Sequence, residues 1–535
     1  MSKVTLLFLS FLQLPSLGIA SDGCATSMVY SFESLPISRS LQWTPCYDDF
    51  TCTRLEVPID YSDPSTGTTN VAFIKMAGRN ATEDAQTIVL ANGGPGSSGV
   101  DLLLSFQSTI GQIFGEQYNY VSFDPRGVNN SGLVLDCFSG NEEARSAFNE
   151  LYRTGVPVTN NDTLQTQYYA SRILGKWCNN AAQESSNHSY YVTTPAVAQD
   201  LLTYIEAEAE SFGRLASDAK LWLMAFSYGT VVGSTFASLY PERVGRIVLD
   251  GVLDAEEYYT NDWKASLTQM DESLLAFSTF CHQAGPTNCS FWGPSAENIT
   301  SRIDNIMAQL KSSSVPIPGV ETNSTPVLVT YSDLKSLFIQ VSYSPLTLFP
   351  SMADILHEFE AGNPSPLSGL AHSFDPVMDW GDVIKCVDPL PHNKLVSVTD
   401  FANYIDYATS TSKYLGDIFP IFVRNIVCQE FAANLPDNMF FPGTFPSPSN
   451  HTAFPIMFAS NTIDALTPII SAHKMSGYFP GSVVVAQEAV GHVVALQGGS
   501  PCYFQLVQEY FAGIVPQSNT TCPRAYVPFK DSAPF

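Results

Sequence analysis

The stretch Leu221-Trp222-Leu223-Met224-Ala225-Phe226-Ser227-Tyr228-Gly229-Thr230 decides how the rest of the chain is read. Leu221 to Phe226 are large and apolar, a run too short for a typical helix and dense enough for a buried strand. Ser227 ends it, and a small-residue helical stretch, Val231 to Leu239, follows at once. A strand that stops at a serine and turns directly into a helix is the layout of a nucleophile elbow. Such a turn needs small residues two places before and two places after the serine, because the strand and helix backbones nearly touch. Gly229 meets the second need, and Ala225 stands at the first, where glycine is usual. The Ser227 hydroxyl is then expected above a sheet edge, at a helix N-terminus whose field favours developing negative charge.

The whole chain bounds what this turn can serve. Its 535 residues suffice for a large core and a substantial insertion, and 45% hydrophobic with 14% charged residues suits a globular protein. A formal charge of −26 argues against nucleic-acid partners, whose phosphates it would repel. Met1–Ala20 reads as a secretory signal: Lys3, the apolar run Val4–Leu14, then small residues at Gly18-Ile19-Ala20. That run is too short to span a bilayer, so a secreted, extracellular protein is expected, with no membrane contact after signal removal and a retained anchor as the alternative. Eleven cysteines suit an oxidising compartment. N-x-S/T sequons begin at Asn80, Asn129, Asn161, Asn187, Asn288, Asn298, Asn323, Asn450 and Asn519, a density that fits a glycosylated export product. Close spacing suggests disulfides Cys46–Cys52, Cys281–Cys289 and Cys502–Cys522, with Cys137–Cys178 and Cys386–Cys428 as looser pairings and Cys24 left over. No C-x-x-C pair occurs, so zinc and thioredoxin-like readings lack support, and neither metal nor cofactor is expected.

Taken in order, Thr53–Asp60 and Asn70–Met76 read as an opening hairpin around a turn-rich Tyr61–Thr69. Thr87–Ala91 is a buried strand running into Asn92-Gly93-Gly94-Pro95-Gly96-Ser97-Ser98-Gly99. This loop lacks the G-K-[ST] of a phosphate-binding loop and the spaced glycines of a dinucleotide fingerprint. Its glycines let a backbone amide face a cleft. Ser97 and Ser98 have no strand–turn–helix around them and are poor nucleophiles by context. Tyr118–Asp124 is the next strand, followed by Pro125-Arg126-Gly127. Residues 128 to 193 are polar and sequon-rich, and read as an irregular surface insertion. Thr194-Pro195 opens a helix whose face carries Val197, Leu201 and Ile205. Arg246–Asp250, Phe454–Ala459 and Ser482–Ala486 are further strands, and Cys502–Phe511 is a final helix. Between them, aromatic, proline and serine residues scatter among short helical patches such as Ala265–Phe280 and Tyr331–Val341, which reads as a helical cap inserted in the core.

Asp464 and His492 each follow a predicted strand, and His492 follows a glycine. Ser227, Asp464 and His492 thus run in the chain order of α/β-hydrolases, nucleophile, acid, histidine. All three fall at the C-terminal edge of predicted strands, where open α/β sheets bind ligands. In this reading His492 takes the Ser227 proton, Asp464 holds the imidazole, and an acyl-enzyme forms and is hydrolysed. The oxyanion hole would use the backbone amides of Tyr228 and of Gly93 or Gly94. The expected architecture is an α/β-hydrolase fold, a mostly parallel central sheet flanked by helices, with a large, mainly helical cap insertion. Its parts are a signal peptide at 1–20, a core at 21–254, a cap at 255–450 and the rest of the core at 451–535.

Several motifs together resemble the secreted tripeptidyl aminopeptidases, relatives of the prolyl aminopeptidases. They are Asn92–Gly96, Phe123–Gly127, Phe226–Thr230, Tyr240–Asp254, Asn461–Pro468, Gly491-His492 and the tail from Cys502 to Cys522. The resemblance spans about Cys46 to Cys522 and is weakest across the cap. It implies a serine peptidase that removes short pieces from free N-termini, with Ser227, Asp464 and His492 at the family's triad positions. It also implies acidic residues near the cap to pair with the substrate ammonium, for which Asp254, Glu256 and Glu257 are candidates by position. Val493 and Val494, where small or polar residues are more usual, would make the pocket rim more apolar. That departure keeps open a secreted esterase or tailoring hydrolase acting on a small-molecule ester or lactone.

Overall fold

The computed structural model describes residues 28–153, 155–156, 161–319, 325–372, 379–441, 445 and 451–532. The expected leader Met1–Ala20, Cys24 and the sequon asparagines Asn323 and Asn450 lie outside the described residues. Eight main strands form one sheet: β1 (Phe50–Pro58), β2 (Thr68–Ala77), β3 (Thr87–Ala91), β4 (Asn119–Asp124), β5 (Leu221–Phe226), β6 (Val244–Asp250), β7 (Met457–Ile463) and β8 (Val483–Val490). Their spatial order is β1-β2-β4-β3-β5-β6-β7-β8, with short strands added at both edges. Pairing is antiparallel at β1–β2 and β2–β4 and parallel from β4 onward. This is an α/β-hydrolase fold, a mostly parallel sheet flanked by helices.

The strands read as unbroken apolar runs because both faces of the sheet are covered. Alternate residues go to opposite sides. Leu223 and Ala225 of β5 join one apolar cluster with Val89, Ala91, Ile247 and Leu249, while Met224 and Phe226 join the other with Ile88, Leu90 and Val248. The second cluster is closed by α1 (Gly99–Phe106) and by α5 (Pro501–Phe511). The first is closed by α2 (Thr194–Ser211), by α3 (Gly229–Leu239) and by much of the long segment between β6 and β7. That segment is mainly helical and carries a short antiparallel pair, Val315–Ile317 with Val327–Val329. One of its helices, α4 (Asp379–Val387), matters most for the site. No described helix is long and apolar enough to cross a membrane.

Strand order also locates a crevice. From β3 the chain goes to β4 on one side, then returns to β5 on the other. Loops leaving the C-terminal ends of β3 and β5 therefore diverge, which opens a ligand crevice between them. The glycine-rich loop leaves β3 there, and Ser227 leaves β5.

One expectation fails. Residues 128–193 are not irregular: they contain helices Glu142–Tyr152 and Asn161–Glu184. The buried stripe of the longer helix runs through Gln167, Ser171, Leu174, Gly175, Cys178, Ala181 and Ala182. Tyr168 and Ala170 are buried with them, but most of the stripe is small or polar, which weakens the apolar period that a sequence reading looks for. The five close or loose cysteine pairings all form, and Cys137–Cys178 pins this segment.

Arg126, just after β4, is wholly buried and anchors this half of the core. It pairs with Asp200 on α2 and donates to the carbonyls of Pro58, Ile59 and Tyr191 at 3.0, 2.9 and 3.1 Å. Tyr61 adds a hydroxyl bond of 2.8 Å to the same carboxylate. Arg126→Met strands Asp200 without a cation and should cost about 3–5 kcal/mol in denaturant unfolding. A loss below about 1 kcal/mol would show that Tyr61 alone satisfies Asp200.

Candidate active site

Ser227 adopts φ 53, a left-handed conformation that a serine reaches only under constraint. The constraint is visible. Its amide donates to the Asp250 carbonyl at 3.1 Å, while its carbonyl accepts the Thr230 amide at 2.8 Å and the Thr230 hydroxyl at 2.6 Å. Gly229 is obligatory, since a Cβ there would lie 2.5 Å from the Ala91 carbonyl oxygen. Ala225 is fully buried between β3 and β6, where its methyl fits. Ser227 therefore stands at a strained turn between β5 and α3, as the sequence suggested.

His492 and Asp464 come together from loops after β8 and β7. His492 Nδ1 lies 3.0 Å from Asp464 Oδ2 and 3.2 Å from Oδ1. Asp464 also accepts the amides of Leu466, Thr467 and Val493 and the hydroxyl of Thr467, at 2.9, 2.9, 3.1 and 2.8 Å. Burial alone would raise this carboxyl. The adjacent His492 and the donated amides outweigh burial and hold it below its ordinary value. A buried carboxylate so arranged stays ionised and fixes the tautomer of the imidazole facing it.

Asp250, the last residue of β6, holds the histidine loop from behind. It accepts the amides of Val494 and Ala495 at 2.7 and 2.9 Å and the Tyr503 hydroxyl at 2.9 Å. Val493 and Val494 are thus buried, and neither lines the cavity. The expectation that they make the rim more apolar is corrected: their amides serve Asp464 and Asp250, and Val493 packs against Gly251.

On the β3 side, Gly93 presses against the serine. A Cβ there would sit 2.9 Å from Ser227 Cβ. The Gly93 amide donates to Asn92 Oδ1 at 2.8 Å. Among the described residues, the amides of Gly94 and Tyr228 donate to no protein oxygen. Helix α4 clamps this loop: Trp380 Nε1 donates to the Gly96 carbonyl at 2.9 Å, and a Cβ on Gly96 would lie 2.8 Å from Gly381 Cα. Ser98, set aside as a nucleophile, caps α1 instead and donates to Asp124 at 2.6 Å.

Tyr228 is anchored through its side chain. Its hydroxyl meets Thr194 Oγ1 at 2.7 Å, and Thr194 donates onward to Asp388 at 2.6 Å. Asp388 also accepts the Thr194 amide and the Tyr258 hydroxyl, each at 2.7 Å. Sequence reasoning missed Asp250, Asp388, Thr467 and Trp380. Only Thr467 offered a signal, since it lies three residues beyond an aspartate in a turn.

Ser227 and His492 line one cavity of about 450 Å³, shared with Gly94, Gly96, Thr467 and the aromatic residues Trp263, Tyr343, Trp380, Phe419 and Phe422. Lys385 also lines it, and no Asp or Glu does among the described residues. The acidic candidates lie elsewhere. Asp254 and Glu256 pair with Lys474 at 2.7 and 2.9 Å, and Glu257 accepts the Ala265 amide at 2.6 Å.

Comparison with known proteins places the chain among hydrolases of this fold. A family model described as alpha/beta hydrolase fold matches residues 86–278, and one described as TAP-like protein matches residues 438–522. Serine protease Hip1 of Mycobacterium tuberculosis is 26% identical over 518 residues, covering 91% of each chain, so the likeness runs through sheet and inserted segment alike. The tripeptidyl aminopeptidase of Streptomyces coelicolor is 27% identical over 223 residues, 40% of this chain and 38% of its own. Carboxylesterase B of Mycobacterium tuberculosis is 23% identical over 501 residues, 88% of this chain and 86% of its own. The protein is an α/β-hydrolase and a serine hydrolase. Its segment 438–522 is similar to the TAP-like proteins of that superfamily.

Burial pushes the Asp388 carboxyl up from 3.8 to about 6, against the Thr194 and Tyr258 bonds that pull it down. A raised carboxyl means the folded chain holds its proton longer than the unfolded chain. The stability it contributes is present below about pH 4 and lost as pH rises through about 6. Asp388→Asn should therefore flatten that limb of the unfolding profile, by up to about 3 kcal/mol. Parallel profiles for the two proteins would refute it.

Proposed function

We propose that Ser227, His492 and Asp464 act as a catalytic triad with which this serine hydrolase releases short peptides from free N-termini, in the manner of a tripeptidyl aminopeptidase. The observation that carries the reading is the convergence itself. A serine held at φ 53 shares a cavity with a histidine whose Nδ1 is 3.0 Å from a buried carboxylate. Relatives named serine protease and tripeptidyl aminopeptidase support a peptide as substrate.

The chemistry follows from the roles. His492 Nε2 takes the Ser227 Oγ proton as Oγ bonds to the scissile carbonyl carbon. Negative charge moves to the carbonyl oxygen and is met by the Tyr228 and Gly94 amides. Gly94 suits this role better than Gly93, whose amide is already bonded to Asn92. His492 then protonates the leaving amine, the C–N bond breaks and an acyl-enzyme remains. Water, deprotonated by His492, releases the acyl part and restores the serine. Asp464 remains ionised throughout and stabilises the imidazolium.

Residues 255–450 serve as the cap that limits the pocket to chain ends, between core parts 21–254 and 451–535. Export after removal of the 1–20 leader fits the five disulfides and the exposed sequon asparagines Asn80, Asn129, Asn187, Asn288, Asn298 and Asn519. A second reading, hydrolysis of a small-molecule ester, is favoured by one observation. The cavity is aromatic and carries no carboxylate among its described lining residues, so an ammonium finds no counter-ion there.

Ser227→Ala should lower turnover on the order of 10⁴-fold or more, with unfolding stability within about 0.5 kcal/mol of the parent. Mass spectrometry of products from a mixed peptide library gives the readout. Di- or tripeptides released from free but not N-acetylated termini are expected. Intact peptides, with Ser227 still labelled by a fluorophosphonate, would move the substrate to an ester, and an unchanged rate in the alanine variant would end the triad reading.

A further inference from the structure

Lys385 has no part in the mechanism above, yet it lines the same cavity as Ser227 and His492. It belongs to α4, the helix that clamps the glycine loop, and its side chain is only 7% exposed. Its ammonium donates to Asp382 Oδ1 at 3.1 Å and to the Val423 carbonyl at 2.7 Å. An ammonium has three hydrogens, and no third protein acceptor is present among the described residues.

Lys385 shares its one carboxylate partner with a second cation. Asp382 is fully engaged by Arg424, whose Nε lies 3.2 and 3.1 Å from its two oxygens and whose Nη2 lies 2.6 Å from Oδ2. One carboxylate thus faces two cations. The next carboxylate along α4, Asp379, is held by both Nη atoms of Arg145 at 2.8 and 2.7 Å, and Arg145 also reaches Asp136 at 2.6 Å. There the ratio is reversed, two carboxylates to one cation, and both are already bonded to Arg145. Burial, the larger influence, lowers the Lys385 ammonium below its ordinary value, with Arg424 acting in the same direction and Asp382 against both. A buried cation with half a counter-ion is costly to keep unless something else completes it.

We propose that Lys385 is a specificity-determining residue that receives a carboxylate carried by the acyl part of the substrate. This rests on the reading of Ser227 as the nucleophile. The acyl part enters beside Trp263, Trp380, Phe419 and Phe422, which cover its apolar stem and exclude water. Low local polarity there strengthens the ion pair at its far end. Two sources carry the same chemistry: an Asp or Glu side chain in a released peptide, or the free end of a dicarboxylic half-ester.

The test compares kcat/KM across matched pairs. One pair is the 4-nitrophenyl half-ester of glutaric acid against its methyl-capped diester. Another is a peptide anilide with Glu in the released piece against its Gln counterpart. Each is measured on the whole protein and on Lys385→Met and Lys385→Arg. The parent should prefer the carboxylate-bearing member by about 10- to 100-fold. That ratio should collapse toward unity in Lys385→Met and survive in part in Lys385→Arg. The methionine change leaves Asp382 with its Arg424 partner, and if it does not fold, Lys385→Gln takes its place. No preference in the parent, or the same ratio in parent and methionine variant, overturns the proposal. Preference in the anilide pair alone assigns a peptide carboxylate, and in the ester pair alone a dicarboxylic acyl group. Fluorophosphonate labelling of Ser227 separates the two levels. Unlabelled protein sinks the nucleophile reading beneath, whereas labelled protein with unchanged selectivity sinks only the role of Lys385.

Discussion

The structure depends on how closely three backbones approach at the end of β5. Gly229 begins α3 against the Ala91 carbonyl, and Gly93 leaves β3 against the side chain of Ser227. Only residues without a Cβ permit both contacts. The left-handed turn at Ser227 is what allows the chain to reverse in so little space, and its strain is held by bonds to Asp250 and Thr230. Loosen this approach and the glycine loop no longer reaches the serine, whatever happens to the histidine and aspartate. The strand order that opens the crevice puts the same two strands side by side, so topology and local sterics act on one point.

Two buried aspartates at the ends of neighbouring strands show how surroundings divide labour. Asp464 has a histidine and several amides facing it, and these hold its carboxyl below the ordinary value against the effect of burial. Asp250 also accepts amides and a tyrosine hydroxyl, but no cation faces it, and burial lifts it to about 6. The first is suited to stabilising an imidazolium, the second to holding the loop that carries the imidazole. Both depend on backbone amides of the Val493–Ala495 turn, so one short segment after β8 is fastened from two sides.

The inserted segment is not a passive cover. Helix α4 and the residue just after it bring Trp380 to the glycine loop, Lys385 to the cavity wall and Asp388 to the network behind Tyr228. Cys386 ties the same helix to Cys428. Residues of this segment and of the sheet share one apolar cluster, so the segment cannot shift without disturbing core packing. The parts of the site that would bind the oxyanion and choose the substrate therefore come under the control of residues far from the serine in sequence.

The amino-acid sequence by itself determined the strands, because buried parallel strands are unbroken apolar runs, and the Ser227 turn, because its small neighbours lie within two residues of it. It also placed Asp464 and His492 at strand ends in a telling order, and close spacing pointed to three of the five disulfides. Helices in 128–193 were hard to read because Glu142–Tyr152 buries only Phe148 and Tyr152, and the longer helix mixes Tyr168 and Leu174 with small and polar buried residues. Asp388 meets Thr194 across 194 positions and Asp250 meets Ala495 across 245, and nothing local marks such pairs. Val493 and Val494 were misread because hydropathy cannot tell a side chain that lines a pocket from one packed behind it. Whether a charge is paired, spare or facing a cavity is settled only when distant segments fold onto one another, and that is why Lys385 became visible in the tertiary structure alone.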